Sequence, residues 1–226
     1  MLNDPPPLPA YSDESLARLS LGQLIDLLIR DEDRVPRNVI DQCAARGTAI
    51  VEHLRTTLDD EHAWRSGVSL GEWWLRLHAV MILGLVDSES AGLLLVRLMR
   101  RMALVEDDNL QDWFAGHWPA LFRNKPRPAV EAARALCEER TLDWYIRCQA
   151  ADVVIDDATR KGNDALDRDL DWLGGSVSDE TEDWEFRLAT GNTLLDFPRE
   201  RHRRLLADLA ARQKGLGVHF SPEDVE

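Results

Sequence analysis

Residues 143–154 have the sequence DWYIRCQAADVV, in which an acid and a tryptophan are followed at helical spacing by an arginine, a small residue and an aliphatic residue. The acid and the tryptophan form a two-residue signature that occurs four times. The copies are Glu72-Trp73, Asp112-Trp113, Asp143-Trp144 and Asp183-Trp184, at spacings of 40, 31 and 40 residues. Three copies carry an arginine three places after the tryptophan, at Arg76, Arg147 and Arg187. Such a repeat predicts an array of similar helical units.

The rest of the chain divides around these copies. We predict helix pairs over residues 48–87, 88–126, 127–162 and 163–197, with the second helix of each pair beginning near its signature. A proline-rich extended arm (1–11) and N-terminal helices (12–47) precede the array, and a basic capping helix with an acidic tail (198–226) follows it. The sequence has neither sustained period-2 alternation nor a hairpin turn motif. The prediction is one all-α domain, an α-α superhelix of about four helix pairs.

Two helix starts are marked by local signals. Ser20 and Gln23 are spaced as a capping box before an apolar run, and Ser69 and Glu72 have the same spacing before Trp73. In a capping box the serine hydroxyl and the N3 side chain satisfy backbone amides that have no helical partner. We therefore expect helices to begin directly after Ser20 and Ser69.

Three segments resemble known helical-repeat families. Residues 77–98, LHAVMILGLVDSESAGLLLVRL, resemble a HEAT-like repeat of the kind first named in phycobilin lyases, and RCQAADVV (147–154) looks like a more degenerate copy. This resemblance implies a HEAT-like solenoid whose second helices line its concave side. Residues 112–122, DWFAGHWPALF, also resemble an uncharacterised bacterial helical-repeat family that often ends in a cysteine-rich zinc motif. No cysteine follows Cys148, so we expect that metal module to be absent.

Composition narrows the possible partners. The net charge of −14 in 226 residues disfavours phosphate backbones and anionic lipid, and it suits a basic protein or peptide. The three cysteines form no C-x-x-C pair, and the N-terminus has no basic and apolar leader pattern, so a cytoplasmic location is expected. None of the six histidines has metal-ligand spacing, and no phosphate loop or nucleophile motif is present. We expect no cofactor, no metal and no catalytic residues.

Helical geometry predicts one candidate binding face. Counted from each signature tryptophan, positions +3, +6 and +10 fall on one side of the helix, and positions +1, +5, +8 and +12 fall on the other. The resemblance places the second side in a groove that runs from aromatic to acidic. The candidate binding residues on it are Trp74, His78, Trp118, Tyr145, Asp152 and Asp156. The alternative is that the aromatic members are buried core, since large aromatic side chains are mostly buried.

Charges at the signature favour a structural role. Each signature acid lies four residues before its arginine, a spacing at which the two side chains can pair on one helix. We expect Arg147 to lie near Asp143, and Arg147→Ala to lower stability. Residues 163–197 carry ten acids and two arginines, whereas residues 198–214 carry six basic and two acidic residues. Mutual neutralisation of these adjacent segments is the simplest explanation.

The sequence leads to a ranked set of functions. The first is a non-enzymatic helical-repeat module that binds a protein or peptide. The second is an acidic inhibitor or immunity-type protein that blocks a basic enzyme. The third is a lyase or DNA glycosylase of the kind known among HEAT-like folds, against which the net charge argues because a glycosylase needs a basic groove.

Overall fold

The computed structural model describes residues 7–64, 67–104, 108–213 and 219–225. These residues form α-helices and short 3-10 turns, and they contain no strand, which confirms the predicted all-α class. Part of the proline-rich arm (1–6) and part of the C-terminal tail (214–218 and 226) lie outside the described residues. The helices are α1 (Asp13–Ala17), α2 (Leu21–Asp31), α3 (Arg37–Ala44), α4 (Thr48–Asp59), α5 (Leu70–Leu85), α6 (Glu89–Met102), α7 (Asp108–Phe114), α8 (Trp118–Phe122), α9 (Arg127–Glu138), α10 (Trp144–Lys161), α11 (Asn163–Ser178), α12 (Trp184–Asp196) and α13 (Glu200–Arg212).

Both predicted capping boxes are present. The Ser20 hydroxyl accepts a hydrogen bond from the Gln23 amide at 3.3 Å, and the Gln23 side chain accepts one from the Ser20 amide at 2.9 Å. Ser69 and Glu72 make the same reciprocal pair at the start of α5, at 3.3 and 2.9 Å. These bonds satisfy amides that a helix start leaves without partners, so they fix where α2 and α5 begin.

The second copy of the signature does not begin a helix, contrary to the prediction. Asp112 and Trp113 lie at the C-terminal end of α7, which stops at Phe114. Gly116 has a φ of 73°, a left-handed conformation that ends the helix, and α8 starts afresh at Trp118. The chain therefore does not continue as one helix from Asp112, and the angular positions counted from Trp113 do not apply beyond Phe114.

Backbone contacts group the chain into two compact units. The first unit comprises Met1–Leu98, Val105–Phe114 and Ala120–Ala129, and the second comprises Met99–Leu104, Ala115–Pro119 and Val130–Glu226.

Helix α5 is the central element of the first unit. It packs against α2, α3 and α4, and its sequence LGEWWLRLHAVMILGL is apolar around most of its circumference, as expected of a helix with several neighbours. Gly71 permits the close approach to α2, because a Cβ atom there would lie 2.2 Å from the carbonyl oxygen of Ile29. At its other end, the Lys125 ammonium donates to the carbonyl oxygens of Gly84 and Val86 at 2.9 and 2.8 Å. A cation at these carbonyls complements the helix dipole.

The second unit is built on α10, α11, α12 and α13. Helix α10 packs against both α11 and α12, and α11 also contacts α12 and α13. The third and fourth copies of the signature have the same local structure in this unit. In each copy a helix ends five residues before the signature acid, the acid caps the next helix, and the arginine lies buried in its first turns. Asp143 accepts from the Tyr145 amide and Asp183 from the Phe186 amide, both at 2.9 Å.

Candidate functional site

The predicted site residues are distributed over both units. Trp74 and His78 lie on α5 in the first unit. Trp118 belongs to the second unit, as do Tyr145, Asp152 and Asp156 on α10. A single concavity that Trp74, His78 and Trp118 share stays a prediction.

An aromatic cleft lies at the N-terminal end of α5. The Trp74 ring meets the Trp73 ring edge to face at 5.2 Å between centroids and the Trp113 ring at 5.3 Å. Trp113 is 48% exposed and Leu70 is 59% exposed. The cleft has a volume of about 470 Å³ and is lined by Val68, Leu70, Trp73, Trp74 and Trp113. We call this the tryptophan cleft.

The exposed apolar surface continues along α5. Leu70, Trp74, His78, Met81 and Leu85 follow each other at spacings of three or four residues. At about 100° per residue they lie within about 40° of the Trp74 direction, so they share one face of the helix. Met81 and Leu85 are each 40% exposed, and Trp74 is half-buried. We call these five residues the α5 stripe. Its members except Leu70 are the +1, +5, +8 and +12 positions counted from Trp73.

His78 supports the stripe from beneath. Its imidazole is buried and stacks on the Trp74 ring at 6.0 Å between centroids and 25° between planes. Burial lowers the pKa of His78 to about 4, so the ring is neutral at pH 7. Its Nδ1 has no hydrogen-bond partner among the described residues. The ring therefore acts in this structure as an apolar backing for Trp74.

Trp118 and Phe114 are core residues in this structure. Trp118 is 2% exposed, and Phe114 is equally enclosed, so neither presents a ring to solvent. For Trp118 the physical reason is the break between α7 and α8, because it removes the helical register on which the predicted placement of Trp118 beside Trp74 depended. For these two aromatics, the alternative of buried core describes the structure.

The acidic candidates lie on α10 in different settings. Asp156 forms an ion pair with Arg160 at 3.0 Å, one turn further along the same helix. Asp152 is half-buried and has neither a hydrogen bond nor an ion pair within the described part of the chain. Burial, and then the charge of Asp196, raises the pKa of Asp152 to about 6. Tyr145 is half-buried, with its ring edge to face with Trp144. These residues do not converge on a described cleft.

Arg147 and Arg187 bind groups other than their signature acids. Arg147 binds Glu182 through two parallel hydrogen bonds of 2.8 Å, and its Nε donates to the carbonyl oxygen of Cys137 at 2.8 Å. The expected contact with Asp143 is therefore wrong, because that carboxylate is turned to the backbone amide that it caps. Arg187 repeats the carbonyl contact, since its Nε donates to Val177 at 2.8 Å. These arginines join the end of one helix to the next helix, which is a structural role.

The charge segregation near the C-terminus is explained by ion pairing. Arg199 binds Asp167 at 2.6 Å, Arg201 binds Asp171, and Arg212 binds Glu180 at 3.1 Å. All three contacts join α13 or its N-cap residue Arg199 to the segment 163–180. The mutual neutralisation expected from the sequence is therefore confirmed for these pairs.

The described residues give little support for a reactive thiol, a metal site or a membrane-spanning helix. Burial raises the pKa of Cys43 and of Cys137 to about 12, which keeps both thiols protonated. Within the described ranges, no three His, Cys, Asp or Glu side chains are grouped as metal ligands. The same ranges contain no helix with the length and hydrophobicity needed to cross a bilayer. No family model, curated protein or solved structure matches this chain.

Four cleft residues, Val68, Leu70, Trp73 and Trp113, were missed by the sequence reasoning. Leu70 precedes the signature, and Trp73 and Trp113 were counted only as signature positions. The exposure of Trp113 depends on α7 ending one residue later, and its ring contact depends on where α7 meets α5. The glycine at 116 is the signal in the sequence that marks the helix end.

Proposed function

We propose that this chain is a binding module that holds a protein or peptide segment on the α5 stripe and the tryptophan cleft. The observation that carries this proposal is the exposure of Leu70 and Trp113 at one end of the α5 stripe and of Met81 and Leu85 at the other. Contiguous exposed apolar surface is a feature of interaction sites. Tryptophan is enriched among the residues that contribute most to binding energy, so Trp113 and Trp74 are the natural anchors.

The composition of the surface supports binding rather than catalysis. The cleft lining contains no titratable side chain that could transfer a proton. His78, which stacks on the cleft residue Trp74, is buried, and its lowered pKa of about 4 keeps it neutral over the physiological range. An apolar and aromatic surface of this kind recognises shape and hydrophobic side chains.

The proposal includes a HEAT-like solenoid architecture and a cytoplasmic location. The shared geometry of the third and fourth signature copies, with each arginine bound to a carbonyl ten residues earlier, supports a HEAT-like arrangement of helix pairs. Three buried free cysteines support a reducing, cytoplasmic location.

The proposal is tested by selection and mutation. Peptides of about 16 residues, long enough to cover a four-turn helix, are selected from a random library against the full chain. We expect selected peptides to lose at least about tenfold in affinity for the Met81→Gln/Leu85→Gln variant, because apolar anchors dominate such interfaces. Leu93→Gln is the matched control, since Leu93 is also exposed but lies on α6.

Two results would count against the proposal. One is a selection that yields no binder, and the other is a set of binders whose affinity for the stripe variant equals that for the Leu93→Gln control. Both substituted residues on the stripe are solvent-exposed, so their replacement should change stability by no more than about 0.5 kcal/mol. Thermal unfolding of each variant checks that the fold is retained.

A further inference from the structure

We infer that the occupant of the α5 stripe is a basic amphipathic helix; this inference rests on the proposed function. The first step concerns the backbone. The stripe lies on α5, the cleft residue Trp113 lies on α7, and a helix uses its own amides and carbonyls internally. An extended peptide laid on this face would find no row of backbone partners, whereas a helix satisfies its backbone by itself.

The second step concerns shape. From Leu70 to Leu85 the stripe spans 15 residue steps, or about 22 Å at 1.5 Å per residue. Its exposed side chains are grouped at the two ends, with Leu70 beside Trp113 at one end and Met81 with Leu85 at the other. His78 is recessed between them. A helix of about four turns with apolar side chains on one face matches this length and these two contact regions.

The third step concerns charge. The segment 67–89 and helix α7 together carry five acids and one arginine, Arg76, which is buried over the Trp64 ring. Lys125 is also buried, with its ammonium bound to oxygens at the end of α5. The surroundings of the stripe stay acidic even when Lys125 and the exposed Arg123 are counted. An acidic surround favours a partner with basic residues beside its apolar face.

Two acids are available to meet such a partner. Asp112 precedes the cleft residue Trp113, and Asp87 follows α5 two residues after Leu85. Both side chains are exposed, and neither forms a hydrogen bond or a close ion pair within the described ranges. Asp87 also acts electrostatically on the buried Lys125 ammonium, whereas Asp112 has no such neighbour among the described residues. They therefore lie at opposite ends of the stripe, where the polar edge of a bound helix would carry lysine or arginine.

The test uses three synthetic peptides of about 18 residues. The first has leucines on one helical face and lysines elsewhere, the second replaces every lysine with glutamate, and the third has the first composition in a permuted order without a face. Affinities for the full chain are measured by fluorescence anisotropy at about 0.15 M salt, and helix formation by circular dichroism. We expect the leucine–lysine peptide to bind, to become helical, and to exceed both others by about tenfold or more.

Variants separate the contributions of charge and of the apolar face. Asp87→Asn/Asp112→Asn should weaken binding of the leucine–lysine peptide several-fold. The control Asp26→Asn/Asp164→Asn makes the same change in net charge at exposed acids elsewhere, and it should leave this affinity unchanged. Met81→Gln/Leu85→Gln should abolish the advantage over the permuted peptide.

The outcomes distinguish the two proposals. Equal binding of the leucine–lysine and leucine–glutamate peptides, lost in the Met81→Gln/Leu85→Gln variant, would overturn the basic helix and leave the binding face standing. Equal binding of the two lysine peptides that is insensitive to the stripe variant would show attraction by net charge alone and overturn both. Binding without a gain in helicity would overturn the helical form of the occupant.

Discussion

Arg147 is a buried cation whose three guanidinium nitrogens all have acceptors. Two of them bind the Glu182 carboxylate, the third binds the Cys137 carbonyl, and the guanidinium lies 4.0 Å from the centre of the Phe186 ring. The pair lowers the pKa of Glu182, first through the hydrogen bonds of Arg147. Removing one partner of a buried ion pair leaves the other charge without compensation, which costs more than the pair itself contributes.

The first prediction is that Arg147→Ala lowers the free energy of unfolding by about 3–5 kcal/mol at pH 7. The folded pKa of Glu182 lies below its unfolded value near 4.5, so the contribution of the pair is present above that pH and is lost as the pH falls further. The difference between wild type and Arg147→Ala should therefore shrink in acid. Urea unfolding at neutral pH and at about pH 3 measures both effects.

Arg140 supplies the control. It also approaches Glu182, at 3.3 Å, but its side chain is half exposed, so Arg140→Ala should cost less than about 1 kcal/mol. Equal losses of unfolding free energy for the two variants would show that the burial of Arg147 does not determine how much the ion pair stabilises the fold.

At the scale of whole helices, glycine determines how closely α5 packs against α2. A Cβ atom at Gly71 would lie 2.2 Å from the Ile29 carbonyl oxygen, a backbone atom that cannot move aside independently of α2. Gly175 on α11 has the opposite setting, since nothing lies within 4 Å of its Cβ position. Both glycines are helical, so the two positions differ in packing rather than in secondary structure.

The second prediction follows from this contrast. Gly71→Ala should destabilise the chain by more than about 1 kcal/mol, because α5 must separate from α2. Gly175→Ala should instead stabilise it by about 0.5–1 kcal/mol through helix propensity. Thermal unfolding of both variants measures the sign. A stabilising Gly71→Ala would mean that α2 and α5 do not approach each other this closely.

Helix positions were predictable because their signals are local. The Ser20 and Ser69 capping boxes depend on residues three apart, and the structure contains both. The partner of Arg147 was not predictable in this way, because Glu182 lies 35 residues further along the chain and meets it only after α10 and α12 pack. Trp74 and His78 were placed on one face by angular position alone. Trp113 joins them through a contact between helices, which no spacing in the sequence encodes.

At the scale of the whole molecule, the charges that add up to −14 are unevenly distributed along the sequence. The basic segment 198–214 is the part of the sequence that would most readily attract phosphate. In the structure, Arg199, Arg201 and Arg212 are already engaged by acids of the segment 163–180. Three of the six basic residues of this segment are therefore paired with acids of the segment 163–180, while Asp87 and Asp112 form no close ion pair within the described ranges.

The last prediction is that the chain does not retain a short DNA duplex at sub-micromolar protein and about 0.15 M salt, because phosphate contact needs a free basic surface. Asp167→Asn/Asp171→Asn releases Arg199 and Arg201, so this variant should retain more DNA than the wild type at low salt. The extra retention should disappear as the salt concentration rises. Asp26→Asn/Asp164→Asn changes the net charge by the same amount without freeing an arginine. This control variant should therefore not increase the retention of DNA. Gel-shift titrations compare the three proteins. Retention by the wild type at 0.15 M salt would show that neither net charge nor pairing on α13 keeps phosphate away.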